Sequence, residues 1–573
     1  MRRFFLRCGG LCAAFFFTTV SAQTPSATDL DESQRLRQQE RASQLQQQLE
    51  ARTDVRLQPS VAPPTPRLPA DESPCFVIHR IELVGEMSER FNTLTDSANH
   101  DAVGSHDPIA GRCVGAIGVG IAIRRIQNEL VKRGYVTTRV LAGPQDLTQG
   151  VLTATLIPGR VRAIRFAEGT TTRATIMNAI PLQSGDLLNL RAIEQALENL
   201  KRVPTTDADI RIEPADGNGT QTGYSDIVIQ WRQRFPFRVN LTTDNSGLES
   251  TGRYQGGLTL SYDHALTLND LFYVSLNRSL VEPAPGPRGT NSNTVHYSLP
   301  FGYWLLGLTV GGSQYRQAVA NVYGTTVYSG ESANQELKLS RILARDANSR
   351  TVAYLSAWAK QARNFVGDLE LSVQRRQLGG FEAGITHRQV LGNATLDLSA
   401  GYRHGSSIFG HHALLNEAVE GSTRPQILQV GALYNHPFVV AGQRLRYTLA
   451  MRAQKGWTSL LPQDRFSIGS RFSVRGFDEQ RILSADRGWL VRNDLGVSLG
   501  GSGQEAYLGL DYGEVSGLHS KTLAGKHLAG MAFGIRGGGH GVAYDLFAGH
   551  ALSAPIGFST HGLNIGFSLS WSY

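Results

Sequence analysis

Five residues, Gly496-Val497-Ser498-Leu499-Gly500, have the G-x-S-x-G spacing that can expose a serine nucleophile for acyl transfer. That chemistry needs a sharp strand-to-helix turn under the serine, and here the pentapeptide ends an alternating, strand-like run that enters a turn. His404, His411 and His412 offer imidazole nitrogens to a metal, yet no helix or strand spacing converges them, and a flexible polar loop accounts for them better. The glycines of "GIRGGGHG", residues 534 to 541, would cradle a phosphate only ahead of a helix; their neighbours read as two strands joined by a tight turn. There is no Walker motif and no H-E-x-x-H, so the expectation is a protein that is not an enzyme and takes no cofactor and no metal.

Cysteine chemistry is more informative. Cys8 and Cys12 fall in a leader, residues 1–22, with arginines at 2, 3 and 7, an apolar core to Val20 and a small-residue ending at Ala22. That is the layout of a cleaved secretory signal, so the chain is expected to leave the cytoplasm. Cys75 and Cys113 then meet an oxidising compartment and are expected to form a disulfide, closing a loop of about 40 residues and contributing roughly 4 kcal/mol in the chain-entropy model. Losing three arginines with the leader lowers the formal net charge from +8 to +5, too slight an excess to indicate a nucleic-acid partner.

The elements that would position such residues change character along the chain. Residues 29–52 contain no glycine or proline and favour helix, with Leu30, Leu36, Leu45 and Leu49 as its sparse large apolar residues. A helix so polar all round, about 36 Å long, fits either a solvated arm or a segment lodged in an aqueous lumen. A proline-rich linker, 56–74, follows. From Cys75 two units of the same order, strand-helix-helix-strand-strand, occupy 75–158 and 159–235; the second includes a short helix expected near 172–180.

After Pro236 the period is two to the last residue, with sixteen candidate strands beginning near 238, 254, 270, 293, 304, 334, 350, 375, 393, 425, 443, 487, 504, 528, 541 and 562. An even number of roughly ten-residue strands, without an apolar stretch long enough for a spanning helix, is the pattern of a transmembrane β-barrel, here 236–573. A soluble all-β binding protein would alternate too. In the last strand, Ile565, Phe567, Leu569, Trp571 and Tyr573 share one face, as a lipid-facing strand requires.

Several segments, in order, resemble the transporters of two-partner secretion, the haemolysin activator and filamentous haemagglutinin transporter family: "GYVTTRV", "IPGRVRAIRF", "DNSGLESTGRYQGGLTLS", "YSLPFGYW", "VRGF" and "YLGLDYGEV". The resemblance spans essentially the whole chain after the leader. It implies two periplasmic POTRA domains of α+β type, an N-terminal plug helix within 23–55, and a sixteen-stranded antiparallel barrel in the outer membrane whose sixth external loop folds back into the lumen. By strand count that loop is 457–486 and carries "RFSVRGFDEQ".

The family pattern further implies that Arg475 pairs with Asp511 inside the barrel, with Val474, Gly476 and Phe477 completing the loop lock. Two departures stand out: Ala265 where the periplasmic turn between strands two and three usually carries proline, and Tyr573 in place of the commoner terminal phenylalanine. The function implied is recognition of one large exported partner, of haemolysin or adhesin type, by the POTRA domains and its secretion through the barrel. Outer-membrane lipid and the barrel-assembly machinery are the other expected partners. A barrel-assembly factor is the main alternative; a diffusion porin would leave the two periplasmic units unused.

Overall fold

The computed structural model describes residues 40, 41, 43, 54–57, 65–101, 104–171, 173–215, 223–280, 287–321, 324–409, 421–478, 480–501, 503–558 and 562–573. The leader expected at 1–22 lies outside them. So does the plug helix expected in 23–55, except that Glu40, Arg41 and Ser43 are helical and 54–57 have no regular secondary structure.

The first α+β unit is a three-stranded sheet, Arg80–Val84, Val151–Ile157 and Arg139–Leu141, with the outer pair of strands joined through the central one. The helix Ala116–Lys132 packs on it through Ile121, Ala122, Ile126 and Leu130, all fully buried and spaced to share one helix face. The run "CFVIHRIELVG" is not one strand: it breaks at His79, and Phe76–Ile78 instead pairs with Arg112–Val114. That side pairing is where Cys75 and Cys113 join, with Cα atoms 5.3 Å apart. A buried Arg125 on the helix donates to Asp107 at 2.6 Å and to the carbonyl of Pro66, so the described part of the proline-rich linker lies docked on this unit.

The second unit repeats the plan with Arg160–Phe166, Tyr224–Gln233 and Thr206–Pro214 as its sheet and Leu190–Leu200 as its helix. Ala192, Ile193, Ala196, Leu197 and Leu200 pack with Trp231 and Ile229. The short helix expected near 172–180 is absent: the described residues there form turns. Threonine- and isoleucine-rich sequence favours helix weakly, and Asn178 commits its side-chain amide to the carbonyl of Pro300 in the barrel, at 2.9 Å.

The remainder closes into an antiparallel barrel of sixteen strands. In order they are Phe237–Asp244, Gln255–Asp263, Leu271–Ser279, Gly289–Phe301, Trp304–Asn321, Gly324–Arg345, Ser349–Val366, Arg376–Leu391, Ala394–Gly405, Gln426–Val440, Gln443–Gly456, Arg487–Leu499, Gln504–Ser516, His527–Gly539, Val542–Ser553 and Asn564–Ser572. Strand sixteen pairs back onto strand one from Ser568↔Asp244 to Ser572↔Asn240, so no edge is left open to lipid. Outward positions alternate as a bilayer demands: Trp304, Leu306, Leu308 and Val310 on strand five are exposed, as are Leu508, Leu510 and Tyr512 on strand thirteen. Strand six has 22 residues against eight in strand one.

The second unit sits against the first three turns at one end of the barrel. Arg173 donates to the carbonyl of His264, Asn199 to that of Gly302 and Arg202 to that of Ser298; Val203 packs on Leu271 and Tyr273. Because strand one enters from this unit, that end of the barrel is the one carrying both α+β units.

Candidate functional site: the sixth loop inside the lumen

The loop 457–486 joins strands eleven and twelve. Its arms pair as a two-stranded hairpin, Phe466–Ile468 with Leu483–Ala485, which carries the tip at 470–477 along the inner wall. Alternation on strand thirteen decides what the tip meets. Leu508, Leu510 and Tyr512 face lipid, so Gly509, Asp511 and Gly513 face inward.

Arg475 lies at the tip and is 3% exposed. Its Nε donates to Asp511 Oδ2 at 2.6 Å and its Nη2 to Asp511 Oδ1 at 2.7 Å, a two-point fork, while its backbone N–H reaches Oδ2 at 3.0 Å. Nη2 also donates to Asp494 Oδ1, on strand twelve, at 2.5 Å. One guanidinium thus bridges carboxylates on two neighbouring strands. The planar fork suits this task, since it meets both carboxylates without changing rotamer.

The network continues. Arg536 on strand fourteen donates to Asp494 at 3.2 Å and to Glu505 at 2.8 Å, and Arg446 approaches Glu505 at 2.6 Å. Arg536 and Arg475 lie over the ring of Tyr507, 4.5 and 5.9 Å from its centre, and the Tyr507 hydroxyl donates to Asp545 at 2.9 Å. Every carboxylate here has at least one cationic neighbour or a hydroxyl donor, as burial requires.

Apolar contacts hold the rest of the tip. Val474 and Phe477 are buried with Phe466, Ile468, Leu490, Leu528 and Phe558, and the Phe477 and Phe558 rings meet edge-on at 5.8 Å. Burying two such side chains contributes roughly 2 kcal/mol each. Gly476 adopts φ +101°, and a Cβ there would fall 2.4 Å from the carbonyl oxygen of His550. Only glycine combines that backbone with so close an approach.

The five loop-lock residues named from sequence therefore come together in one place. Sequence reasoning missed Asp494, Arg536 and the glycines beneath the loop. A Cβ on Gly509 would lie 2.3 Å from Arg475 Nη2, and one on Gly530 would lie 1.7 Å from the Arg475 carbonyl oxygen. The available signal was a set of inward-facing glycines on adjacent strands, which reads as small lumen residues until the loop is laid over them.

The other candidates stand apart. Ser498 lies near the end of strand twelve, ahead of a turn leading to another strand, and 534–541 spans the turn between strands fourteen and fifteen. His404 is the penultimate residue of strand nine; His411 and His412 lie outside the described residues. At the outer end of the lumen Arg41 donates to Ser246 at 2.7 Å and lies 3.8 Å from Asp244, while loop-six Arg471 donates to neighbouring Asn245 at 2.7 Å.

Residues 223–537 match the family described as haemolysin secretion/activation protein ShlB/FhaC/HecB. Residues 76–159 match the ShlB-type POTRA domain and 160–214 a second POTRA domain. The outer membrane transporter CdiB-2 of Burkholderia pseudomallei (strain 1026b) is 33% identical over 97% of this chain and 98% of its own. The haemolysin transporter protein HpmB of Proteus mirabilis is 23% identical over 75% of this chain and 74% of its own. The solved structure of CdiB from Acinetobacter baumannii superposes with a TM-score of 0.81 at 29% identity, covering 96% of this chain and all of that one. The chain belongs to the ShlB/FhaC/HecB family of two-partner secretion transporters, with a barrel in the outer membrane and two POTRA domains in the periplasm.

Proposed function

We propose that this transporter exports one large partner protein, of haemolysin, adhesin or contact-dependent toxin type, which the POTRA domains engage in the periplasm while it is unfolded. Strand addition to an exposed POTRA sheet edge suits such a partner, because main-chain hydrogen bonds give affinity with little demand on sequence. No nucleotide is present outside the cytoplasm, so folding of the partner at the cell surface gives the transfer its direction.

The observation that carries the mechanism is the double hold on Arg475 by Asp511 and Asp494. In this reading loop six is a strut. Its tip is pinned to strands twelve to fifteen, and the moving chain passes between the tip and the opposite wall instead of displacing the tip.

The test is co-expression with a large exported protein encoded beside this gene, scored by its appearance at the surface or in the medium. Loss of export on deletion, with the other outer-membrane barrels at normal levels, supports secretion. A general fall in barrel insertion would instead assign the protein to barrel assembly.

A further inference from the structure

Strands five to seven are the longest of the barrel, at 18, 22 and 18 residues, and their outward face continues past the apolar band. Just above that band, between strands four and seven, lies an open recess of about 350 Å³, within the range of ligand recesses. Alternation fixes which side chains line it. Val295 on strand four, Val310 on strand five, Leu337 on strand six and Leu355 on strand seven are exposed on the lipid side. The same parity turns two further rows outward. Asn293, Gly312, Ala333 and Gln361 are direct cross-strand neighbours in the first; Asn291, Gln314, Glu331 and Arg363 are neighbours in the second. Gly312 and Ala333, having no long side chain, make the floor, and Asn293 and Gln361 stand at its two sides.

Position decides the occupant. Gly312 and Gln314 lie two and four residues beyond Val310, or about 5 and 10 Å higher once strand tilt is allowed for. A headgroup layer is roughly 5–8 Å deep, so the recess stands at the level of the headgroups of the outer leaflet. Its chemistry is that of a hydroxyl binder. Asn291, Asn293, Gln314 and Gln361 supply amides, which donate and accept as sugar hydroxyls do. A phosphate site would cluster arginine or lysine, whereas here Arg363 is offset by Glu331 directly across the strand pair. The set is also held in place: Asn293 Oδ1 accepts the Gly312 N–H at 3.0 Å, which leaves its NH2 to face the recess, and Gln314 Nε2 donates to Glu331 Oε1 at 3.3 Å. Arg363 makes no hydrogen bond or ion pair among the described residues.

We propose that this recess binds the saccharide headgroup of an outer-leaflet glycolipid, with sugar hydroxyls on the amides of Asn293 and Gln361 and acyl chains on the apolar residues below. The site is separate from the lumen and does not depend on which partner is exported.

Full-length protein in detergent, shown to be folded by heat-modifiable migration, is incubated with lipopolysaccharide or with phosphatidylglycerol, which brings acyl chains and a phosphate but no sugar. The lipid retained is then counted by native mass spectrometry. Two variants are compared with the unaltered chain: Asn293→Ala with Gln361→Ala, which removes both flanking amides, and Gly312→Phe, which fills the floor from an outward strand position. Each is expected to lower retained lipopolysaccharide at least tenfold and to leave phosphatidylglycerol unchanged. Lipopolysaccharide retention unaltered in either folded variant overturns the site and leaves the recess to solvent. An equal fall for both lipids also overturns it, because acyl chains or phosphate then account for the binding without the sugar.

Discussion

Arg475 contacts Asp511 through three separate donors, two on its guanidinium and one on its own backbone. The side chain thus fixes the loop's charge and the main chain fixes its path, on the same carboxylate. A lysine at 475 would keep a charge but lose the fork.

Replacing either partner removes the buried fork, leaving Arg475 with Asp494 and Asp511 with Arg492 at 4.0 Å, which costs about 3 kcal/mol. Arg475→Ala and Asp511→Ala are expected to undock the loop and to reduce partner export by tenfold or more, while the barrel stays inserted and heat-modifiable. Asp494→Asn removes a charge shared by Arg475 and Arg536 but leaves the Arg475–Asp511 fork, and its effect is expected to be smaller. Export at the normal rate in both Arg475→Ala and Asp511→Ala would refute the strut.

Gly530→Ala tests the same lock from the wall side. The added methyl would overlap the Arg475 carbonyl oxygen while strand fourteen itself accepts alanine readily, so the loop should lift without loss of the barrel. The expected phenotype matches Arg475→Ala in export and in faster protease cleavage within 470–480.

His264 gives the joint between the second POTRA domain and the barrel a pH dependence. It lies in the turn between strands two and three, outside the membrane. Its Nδ1 accepts the N–H of Asn269 at 2.9 Å, and its Nε2 lies 2.8 Å from the Arg173 carbonyl, so the ring is neutral with the proton on Nε2. Burial lowers its pKa; the Arg173 carbonyl and Asp270 oppose that shift, and the Arg173 charge adds to it. The undocked ring therefore binds a proton more readily than the docked one. Docking is at full strength above about pH 6.5 and weakens as pH falls below it. Hydrogen exchange at 173–178 should accelerate on acidification, and His264→Phe should abolish that dependence.

The Cys75–Cys113 bond closes a long loop in the first POTRA domain. Cys75→Ser is expected to lower the stability of that domain by roughly 2–5 kcal/mol. Calorimetry should show its transition moving down while the barrel transition stays in place.

The barrel strands were readable from period two alone, and most begin within two residues of where alternation places them. The clear exception is strand six, expected near 334 and found from Gly324. Within 324–333 the apolar side chains do not alternate, and the one large ring, Tyr328, is buried and donates to Gln374 at 2.6 Å instead of facing lipid, so there is no lipid-facing period to read. Lumen polarity hides the rest of the site in the same way. Asp494 looks like any inward polar residue on its strand, and what singles it out is a loop 19 positions earlier in the chain, whose fold supplies the guanidinium. Arg475 was visible only because the family motif marks it. The helix expected near 172–180 failed because those residues serve the barrel turns instead of a local hydrogen-bond pattern.

The unequal strand lengths have one more consequence. Twenty-two extended residues measure roughly 70 Å, while the apolar band of an outer-membrane barrel is about 25 Å tall. Even with strand tilt, strands five to seven rise well clear of the lipid, whereas strand one ends near its surface. The mouth facing the environment is a parapet on one flank and a low sill on the other. A polypeptide emerging there meets a tall wall on one side and a low one on the other, so the exit is lopsided by the strand lengths alone.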